Sequence, residues 1–140
     1  MFLLDTNVLS AVMNERPPPQ VANWMAQQPL DLLFTAAVCQ AEILSGIAVL
    51  PQGRRREALE AAALAMFRED FAGRILSFDS KAAAIYGELF AVRRSAGRPV
   101  TTADLMIAAT ARAHGAGVVT RDTGGFDGCG LTLINPWTSA

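Results

Sequence analysis

The feature that most constrains the fold of this chain is an alternation of short apolar segments with longer segments of helical periodicity. The apolar segments lie at residues 2–4, 30–34, 74–78, 117–120 and 131–134, and Asp31 interrupts the second. Continuous hydrophobicity is typical of strands buried on both faces of a parallel sheet, because a half-exposed strand alternates apolar and polar residues. The pattern therefore predicts a three-layer α/β/α fold, in which helices cover both faces of a mostly parallel sheet of about five strands.

Helices are predicted between these segments from apolar spacing and from breaking residues. The first begins near Val8 and ends at the Pro17-Pro18-Pro19 run, and the second ends near Gln28. The others are expected at residues 36–50, 53–71, 80–94 and 101–114, with a turn at Gly97-Arg98-Pro99. The predicted helix caps are Thr35, Asp79 or Ser80, and Thr101, which has capping-box spacing to Asp104.

Length and composition limit the classes of protein to consider. At 140 residues and 51% hydrophobic, the chain is predicted to form one domain, residues 1–140. Its 12 basic and 13 acidic side chains nearly cancel, which excludes a general polyanion-binding field. Two cysteines make no disulfide framework, and neither a leader nor a membrane-spanning segment is recognisable. We expect a cytoplasmic protein without a membrane partner.

Two acids directly follow predicted strands. Asp5 ends the first apolar segment, and Asp122 follows the 117–120 strand. Ligands of open parallel sheets bind at the carboxyl ends of the strands, so the two carboxylates would converge if the strands are neighbours. Negative charge is costly to cluster at a hydrophobic strand end. The arrangement therefore indicates a bound cation.

Two further acids are placed to reach the same edge from the flanking helices. Asp104 lies in the first turn of its predicted helix, and Glu42 lies inside another. A set of oxygen ligands selects Mg²⁺ or Mn²⁺ rather than Zn²⁺. Such ions activate water and offset charge on phosphoryl oxygens, so hydrolysis of a phosphodiester by metal-activated water is the predicted reaction.

Each of these residues also has a purely structural interpretation. Asp104 could serve only as a capping-box acid, Asp122 as a turn residue, Glu42 as a solvated glutamate and Asp5 as a helix N-cap. Cys39 is interpreted as a packing residue, since no histidine is near it in sequence. Three consecutive arginines are candidate RNA contacts, although such a run is more often a solvated helix face: Arg54, Arg55 and Arg56.

The sequence resembles PIN-domain ribonucleases, specifically VapC-type toxins of bacterial toxin-antitoxin pairs. The similarity extends over nearly the whole chain, and residues 71–76 and 121–124 are most similar to the FitB branch. It is carried by Leu3-Leu4-Asp5-Thr6-Asn7, Ala41-Glu42, Thr102-Ala103-Asp104, Ile107-Ala108-Ala109-Thr110, Thr120-Arg121-Asp122 and Asn135-Pro136-Trp137.

The resemblance implies a five-stranded parallel sheet and a Mg²⁺- or Mn²⁺-dependent endoribonuclease. Its metal-site acids would be Asp5, Glu42, Asp104 and Asp122, and Asn7 and Thr120 would orient them through hydrogen bonds. It also implies a homodimer, silenced by an antitoxin whose C-terminal segment enters the active-site groove, with DNA bound only through the antitoxin. The alternative is a non-catalytic PIN-fold module that acts on promoter DNA through its antitoxin complex.

Overall fold

Five parallel strands form the sheet in the computed structural model, which describes residues 1–98 and 100–139; Pro99 of the predicted turn lies outside these residues. The strands are β1 (Phe2–Leu4), β2 (Leu33–Ala36), β3 (Ile75–Leu76), β4 (Gly117–Val119) and β5 (Leu133–Ile134). Their order in the sheet is β3-β2-β1-β4-β5, and every pairing is parallel. The predicted α/β fold with a parallel sheet is therefore confirmed.

The two central strands are buried on both faces. Leu3, Leu4, Val118 and Val119 are each 0% exposed. Because consecutive side chains of a strand point to opposite faces of the sheet, burial of both members of each pair requires cover on both sides. The continuous hydrophobicity of these segments is therefore explained by burial on both faces of the sheet, as predicted.

Six α-helices accompany the strands within the described residues: α1 (Thr6–Met13), α2 (Pro19–Ala26), α3 (Ala37–Ala48), α4 (Arg54–Ala65), α5 (Ser80–Ser95) and α6 (Thr102–Ala113). The side chain of Asp79 caps α5 by accepting from the N–H of Ala82 at 2.9 Å, as predicted. Helix α6 packs against α5 and β4, and its apolar side chains are buried over most of its length. None of these helices is long and apolar enough to cross a membrane.

The start of β2 differs from the prediction. Residues 30–34 were expected to form a strand, but Leu30–Leu32 form a 3-10 turn and the strand begins at Leu33. Leu30 is 69% exposed, so its apolar side chain does not belong to the buried sheet. Hydrophobicity alone could not distinguish this exposed leucine from a buried one.

The predicted cap of α3 is also wrong. Thr35 lies within β2 and is buried, and its hydroxyl donates to the carbonyl of Leu4 at 2.9 Å. Ala36 occupies the cap position and has no side-chain hydrogen bond to offer. Pairing between β2 and β1 therefore takes the hydroxyl that local sequence assigned to a helix end.

Other element boundaries shift for local reasons. Helix α1 begins at Thr6 rather than near Val8, because Asp5 caps it. The predicted 53–71 helix ends as α-helix at Ala65 and continues as a π-helical turn, Met66–Asp70. The strands predicted at 74–78 and 131–134 are two residues long each.

The connection order places a switch point beside β1. From β1 the chain proceeds to β2 and β3 on one side, and it returns to β4 and β5 on the other. Asp5 follows β1 and Thr120 follows β4, and these two strands are hydrogen-bonded neighbours. In open α/β sheets the crevice at such a reversal is where ligands bind.

Candidate active site

The carboxylate of Asp5 is the buried centre of the site. Asp5 is 4% exposed, and its backbone N–H donates to the carbonyl of Val119 at 2.9 Å. Its Oδ1 accepts from the N–H of Thr6 at 2.8 Å, and its Oδ2 accepts from the Thr120 hydroxyl at 2.8 Å and from the Asn7 amide at 3.4 Å. Three donors from two adjacent strand ends therefore fix its position.

Burial dominates the electrostatic state of Asp5. Burial raises the pKa of Asp5 to about 6, and the carboxylates of Asp104 and Glu42 act in the same direction, while the hydrogen bonds from Thr120 and Thr6 oppose the shift. No ion pair to Asp5 occurs in the part of the chain that the structure describes. The site thus carries negative charge that the protein itself does not neutralise.

Glu42 reaches this centre through α1. Its Oε1 accepts from the Thr6 hydroxyl at 2.7 Å, and the N–H of the same threonine donates to Asp5. Thr6 therefore joins an acid inside α3 to the acid that ends β1. The role of Thr6 is not evident from the sequence, in which only its position beside Asp5 points to the site.

Asp104 approaches from the first turn of α6 and is partly buried. Its backbone N–H donates to the Thr101 hydroxyl at 3.2 Å, which is one half of the predicted capping box. Its carboxylate nevertheless acts on Asp5, because it raises the pKa of that group. Asp104 therefore both takes part in the start of α6 and lies close enough to Asp5 to affect its pKa.

Asp122 is the most exposed of the four acids and joins the others through Thr120. Its N–H donates to the Thr120 hydroxyl at 3.0 Å, and its Oδ1 accepts from the N–H of Gly125 at 3.1 Å, capping a 3-10 turn at Thr123–Phe126. Asn7 adds a second connection: its amide donates to Thr120 at 3.2 Å, and its Oδ1 accepts from the N–H of Arg121 at 3.2 Å. The two predicted orienting residues, Asn7 and Thr120, therefore both contact Asp5.

The donor set fits a hard divalent cation in its chemistry. All four acids offer oxygen ligands, and the buried Asp5 lies near two like charges without a basic partner among the described residues. Within residues 1–98 and 100–139, no three His, Cys, Asp or Glu side chains lie close enough together to form a ready metal-binding group. The fit thus rests on the identity and charge of the donors.

Arg93 and Arg98, which together with Arg94 are further candidate RNA contacts from the sequence, both bind Asp127 at the end of the turn that Asp122 caps. Arg93 is 6% exposed and its guanidinium donates to the backbone carbonyl of Asp127. Arg98 forms an ion pair with the Asp127 carboxylate at 3.1 Å. Phe126, the last residue of the turn, is 1% exposed. No local pattern could have revealed these contacts, because they join residues 29 and 34 positions apart.

The three arginines at the start of α4 have different surroundings. Arg56 pairs with Glu60 at 2.8 Å and also donates to the carbonyl of Leu50, so its charge is used within the protein. Arg55 lines a cavity of about 280 Å³ whose wall also includes Thr6 and Glu42. Arg54 is exposed at the first residue of the helix. Of the three, Arg55 is the one that the structure places beside a candidate site residue.

The thiol beside this centre is inert. Cys39 is 0% exposed, and burial raises its pKa to about 12, with the charge of Asp5 acting in the same direction. A thiol with this pKa stays protonated near neutral pH and is a poor nucleophile. The interpretation of Cys39 as a packing residue therefore agrees with its surroundings.

The raised pKa of Asp5 predicts a specific dependence of stability on pH. The folded-state value of about 6 exceeds the ordinary 3.8, so the stabilising proton is fully present below about pH 4 and is lost as pH rises through 6. At pH 7 without divalent ions, the ionised Asp5 should cost about 3 kcal/mol of unfolding free energy. Asp5→Asn should therefore gain stability relative to the parent as pH rises from 4 to 7 in urea unfolding.

The matched control is Asp31→Asn, which changes an exposed aspartate outside the site. Its stability difference from the parent should stay flat over the same pH range. A flat difference for Asp5→Asn as well would show that Asp5 titrates normally in the folded protein.

Comparison with known proteins supports the assignment of the fold. A protein from Pseudomonas syringae pv. tomato called plasmid stability protein StbB is 44% identical over 137 residues, covering 98% of this chain and 99% of its own. VapC ribonuclease Y4jK of Sinorhizobium fredii is 39% identical over 140 residues, 100% of both chains. Toxin FitB of Neisseria gonorrhoeae is 37% identical over 137 residues, 98% of this chain and 99% of its own.

The structural similarity extends equally far. A solved structure of FitAB bound to an IR36 DNA fragment superposes with a TM-score of 0.92 at 36% identity, covering 100% of this chain and 98% of that one. Residues 2–128 match the PIN domain family, a range that contains all four candidate acids. This chain therefore belongs to the PIN-domain family.

Proposed function

We propose that this chain is a Mg²⁺- or Mn²⁺-dependent endoribonuclease and the toxin of a toxin-antitoxin pair, acting in the cytoplasm. The observation that carries the proposal is the buried carboxylate of Asp5, which has no basic partner among the described residues and lies near the charges of Asp104 and Glu42. Buried negative charge at the carboxyl edge of a sheet is stabilised when a cation binds there. The similarity to VapC ribonuclease Y4jK supports RNA as the substrate.

In this proposal Asp5, Glu42, Asp104 and Asp122 hold the divalent ion. When bound, an ion of this kind activates water and offsets negative charge on a phosphoryl oxygen. Hydrogen bonds from Thr6 and Thr120 fix the Asp5 carboxylate before any ligand arrives. Asn7 keeps the ends of β1 and β4 in register by contacting Thr120 and the backbone of Arg121.

The buried thiol near the site is not available as a nucleophile. The Cys39 thiol is protonated because its pKa is about 12. A carboxylate that acts as metal ligand is not required to attack phosphorus. The residues of the site therefore bind and orient the metal ion and the RNA, and water supplies the attacking oxygen.

We expect purified protein to cleave RNA when Mg²⁺ or Mn²⁺ is added and to lose that activity in EDTA. Asp5→Asn should reduce cleavage to background, because it removes the buried negative charge to which the cation would bind. Asp31→Asn should cleave like the parent. Equal cleavage by Asp5→Asn and the parent would rule out the proposed site, and full cleavage in EDTA would rule out the metal dependence.

The position of the Asp122 carboxylate depends on glycine at residue 125. A Cβ built at Gly125 would lie 2.7 Å from Asp122 Oδ2, whereas one at Gly124 would lie 4.0 Å from Oδ1. Gly125→Ala should displace the carboxylate and lower metal-dependent cleavage about 10–100-fold, the usual effect of misplacing a ligand through its surroundings. Gly124→Ala should retain parental activity. If both variants cleave equally, Asp122 does not need its present position.

The proposal includes an antitoxin partner, and the surface has a groove in which a segment of it could bind. An apolar groove of about 340 Å³ is lined by Val12, Met13, Met25, Leu30 and Met66, among others. The cavity that contains Glu42 and Arg55 adjoins this groove and shares Met13 with it. The apolar face of an amphipathic helix fits the first part, and a basic side chain beyond it would reach Glu42. The similarity to Toxin FitB and to FitAB on DNA supports this partner, through which DNA would be bound.

Leu30→Glu should separate inhibition from catalysis, because Leu30 lines the groove and lies away from the acids in sequence. We expect it to weaken binding of the cognate antitoxin by about tenfold or more, since it replaces apolar burial with a charge. RNA cleavage without the partner should be unchanged. Val49→Glu, at a residue that is 83% exposed, is the control and should bind normally. Equal binding by both variants would place the partner elsewhere.

A further inference from the structure

We propose that the guanidinium of Arg121 binds a backbone phosphate of the RNA strand beside the bond that is cut. The inference rests on the proposed ribonuclease function and adds a substrate-binding residue to the same edge of the sheet. Arg121 separates Thr120, which hydrogen-bonds to Asp5, from Asp122. A cation in this position adjoins two residues of the site directly.

The backbone of Arg121 is held on both sides. Its N–H donates to Oδ1 of Asn7 at 3.2 Å, and its carbonyl accepts from the Asn135 amide at 3.5 Å. Asn7 also contacts Asp5, so the arginine and the buried acid share one orienting side chain. The position of Arg121 relative to the acids is therefore set by the same network that sets Asp5.

The side chain of Arg121 is oriented by an aromatic ring. Its guanidinium carbon lies 5.1 Å from the centroid of Trp137, within the range of a cation–π contact. The backbone N–H of Trp137 donates to Oδ1 of Asn135 at 2.9 Å, which holds the segment that carries the ring. A cation–π contact is made by the charge of the guanidinium and uses none of its N–H donors as hydrogen bonds to oxygen, so they stay available to another acceptor.

Those donors have no acceptor within the described part of the chain. Four other arginines donate to protein oxygens: Arg56 to Glu60, Arg74 to backbone carbonyls, Arg93 to the carbonyl of Asp127 and Arg98 to its carboxylate. The Arg121 side chain makes no hydrogen bond or ion pair to residues 1–98 or 100–139, and it is exposed. Its charge is thus oriented and still available.

A phosphate is the ligand that best suits an available guanidinium here. The acids repel an RNA strand, and the net charge of −1 gives no long-range attraction to offset this. A strand that crosses the edge of the sheet must therefore be held by local cations next to the acids. Arginine binds phosphate through two parallel N–H donors, which fixes the orientation as well as the position of the backbone.

The test measures RNA binding in the absence of metal and does not require cleavage. A labelled single-stranded RNA of mixed sequence is titrated with full-length protein carrying Asp5→Asn, alone and combined with Arg121→Gln, Arg121→Lys or Arg68→Gln, over a range of salt concentrations. Arg68 is exposed and lies in the π-helical turn Met66–Asp70, outside the site, so it controls for loss of one positive charge.

We expect Arg121→Gln to weaken RNA binding about tenfold at low salt and to reduce the slope of log affinity against log salt by about 0.7, the value for one phosphate contact on a single strand. Arg121→Lys should keep the parental slope, because it keeps the charge, and Arg68→Gln should match the parent. In the cleavage-competent protein, Arg121→Gln should raise KM and leave kcat unchanged.

Three results would overturn the proposal. The first is an unchanged salt slope for Arg121→Gln. The second is equal loss by Arg121→Gln and Arg121→Lys with a lowered Tm, which would mean that Arg121 only anchors the Trp137 segment. The third is intact RNA binding with weakened binding of the antitoxin, which would assign the guanidinium to a protein ligand. Because no metal or cleavage is involved, failure here is distinct from failure of the ribonuclease proposal.

Discussion

The burial of one unpaired carboxylate at the end of the central strand is the constraint on which this molecule's functional edge depends. A carboxylate with 4% exposure and no basic partner among the described residues is unfavourable unless its oxygens are hydrogen-bonded. Thr6, Asn7 and Thr120 provide the donors. Each of them also contacts another part of the site, so the contacts that make the buried charge tolerable are the ones that assemble Glu42, Arg121 and Asp122 around it.

The parts of this arrangement that sequence predicted follow from the geometry of strands. Continuous apolar runs at residues 2–4 and 117–120 indicated buried parallel strands, and an acid directly after each had to lie at the carboxyl edge. Adjacent pairing of β1 and β4 places Thr120 beside Asp5, and the Thr120 hydroxyl connects Asp5 to the backbone N–H of Asp122. Their difference in burial was not predictable, because it depends on the Asp122 turn leaving the sheet while Asp5 remains under the helices. Strand geometry alone did not place Glu42 and Asp104 beside Asp5. Their assignment to the site depended on the family resemblance or on the tertiary structure.

The features that the sequence could not predict depend on contacts between residues far apart in the chain. Thr35 has the local pattern of a helix cap, yet its hydroxyl donates to the carbonyl of Leu4, 31 residues away. Leu30 has the hydrophobicity of a strand residue but is 69% exposed along an apolar groove. Arg93 has the sequence pattern of an exposed helix residue, but it is buried and donates to the carbonyl of Asp127. In each case a tertiary partner decides between two states that the local sequence allows equally.

Structural and functional interpretations of the acids are not alternatives in this fold. Asp5 caps α1, Asp122 caps a 3-10 turn, and Asp104 lies in the first turn of α6, where its N–H donates to the Thr101 hydroxyl. A cap holds a carboxylate near a helix N-terminus, where the partial positive charge of the backbone favours it. Capping therefore supports part of the negative charge and orients the carboxylates, but it does not neutralise Asp5, whose pKa remains raised to about 6. In the proposed function this imbalance attracts a divalent cation, and the neighbouring Arg121, in cation–π contact with Trp137, is available for a phosphate. A phosphodiester placed between the proposed metal-binding acids and this guanidinium would meet both charges.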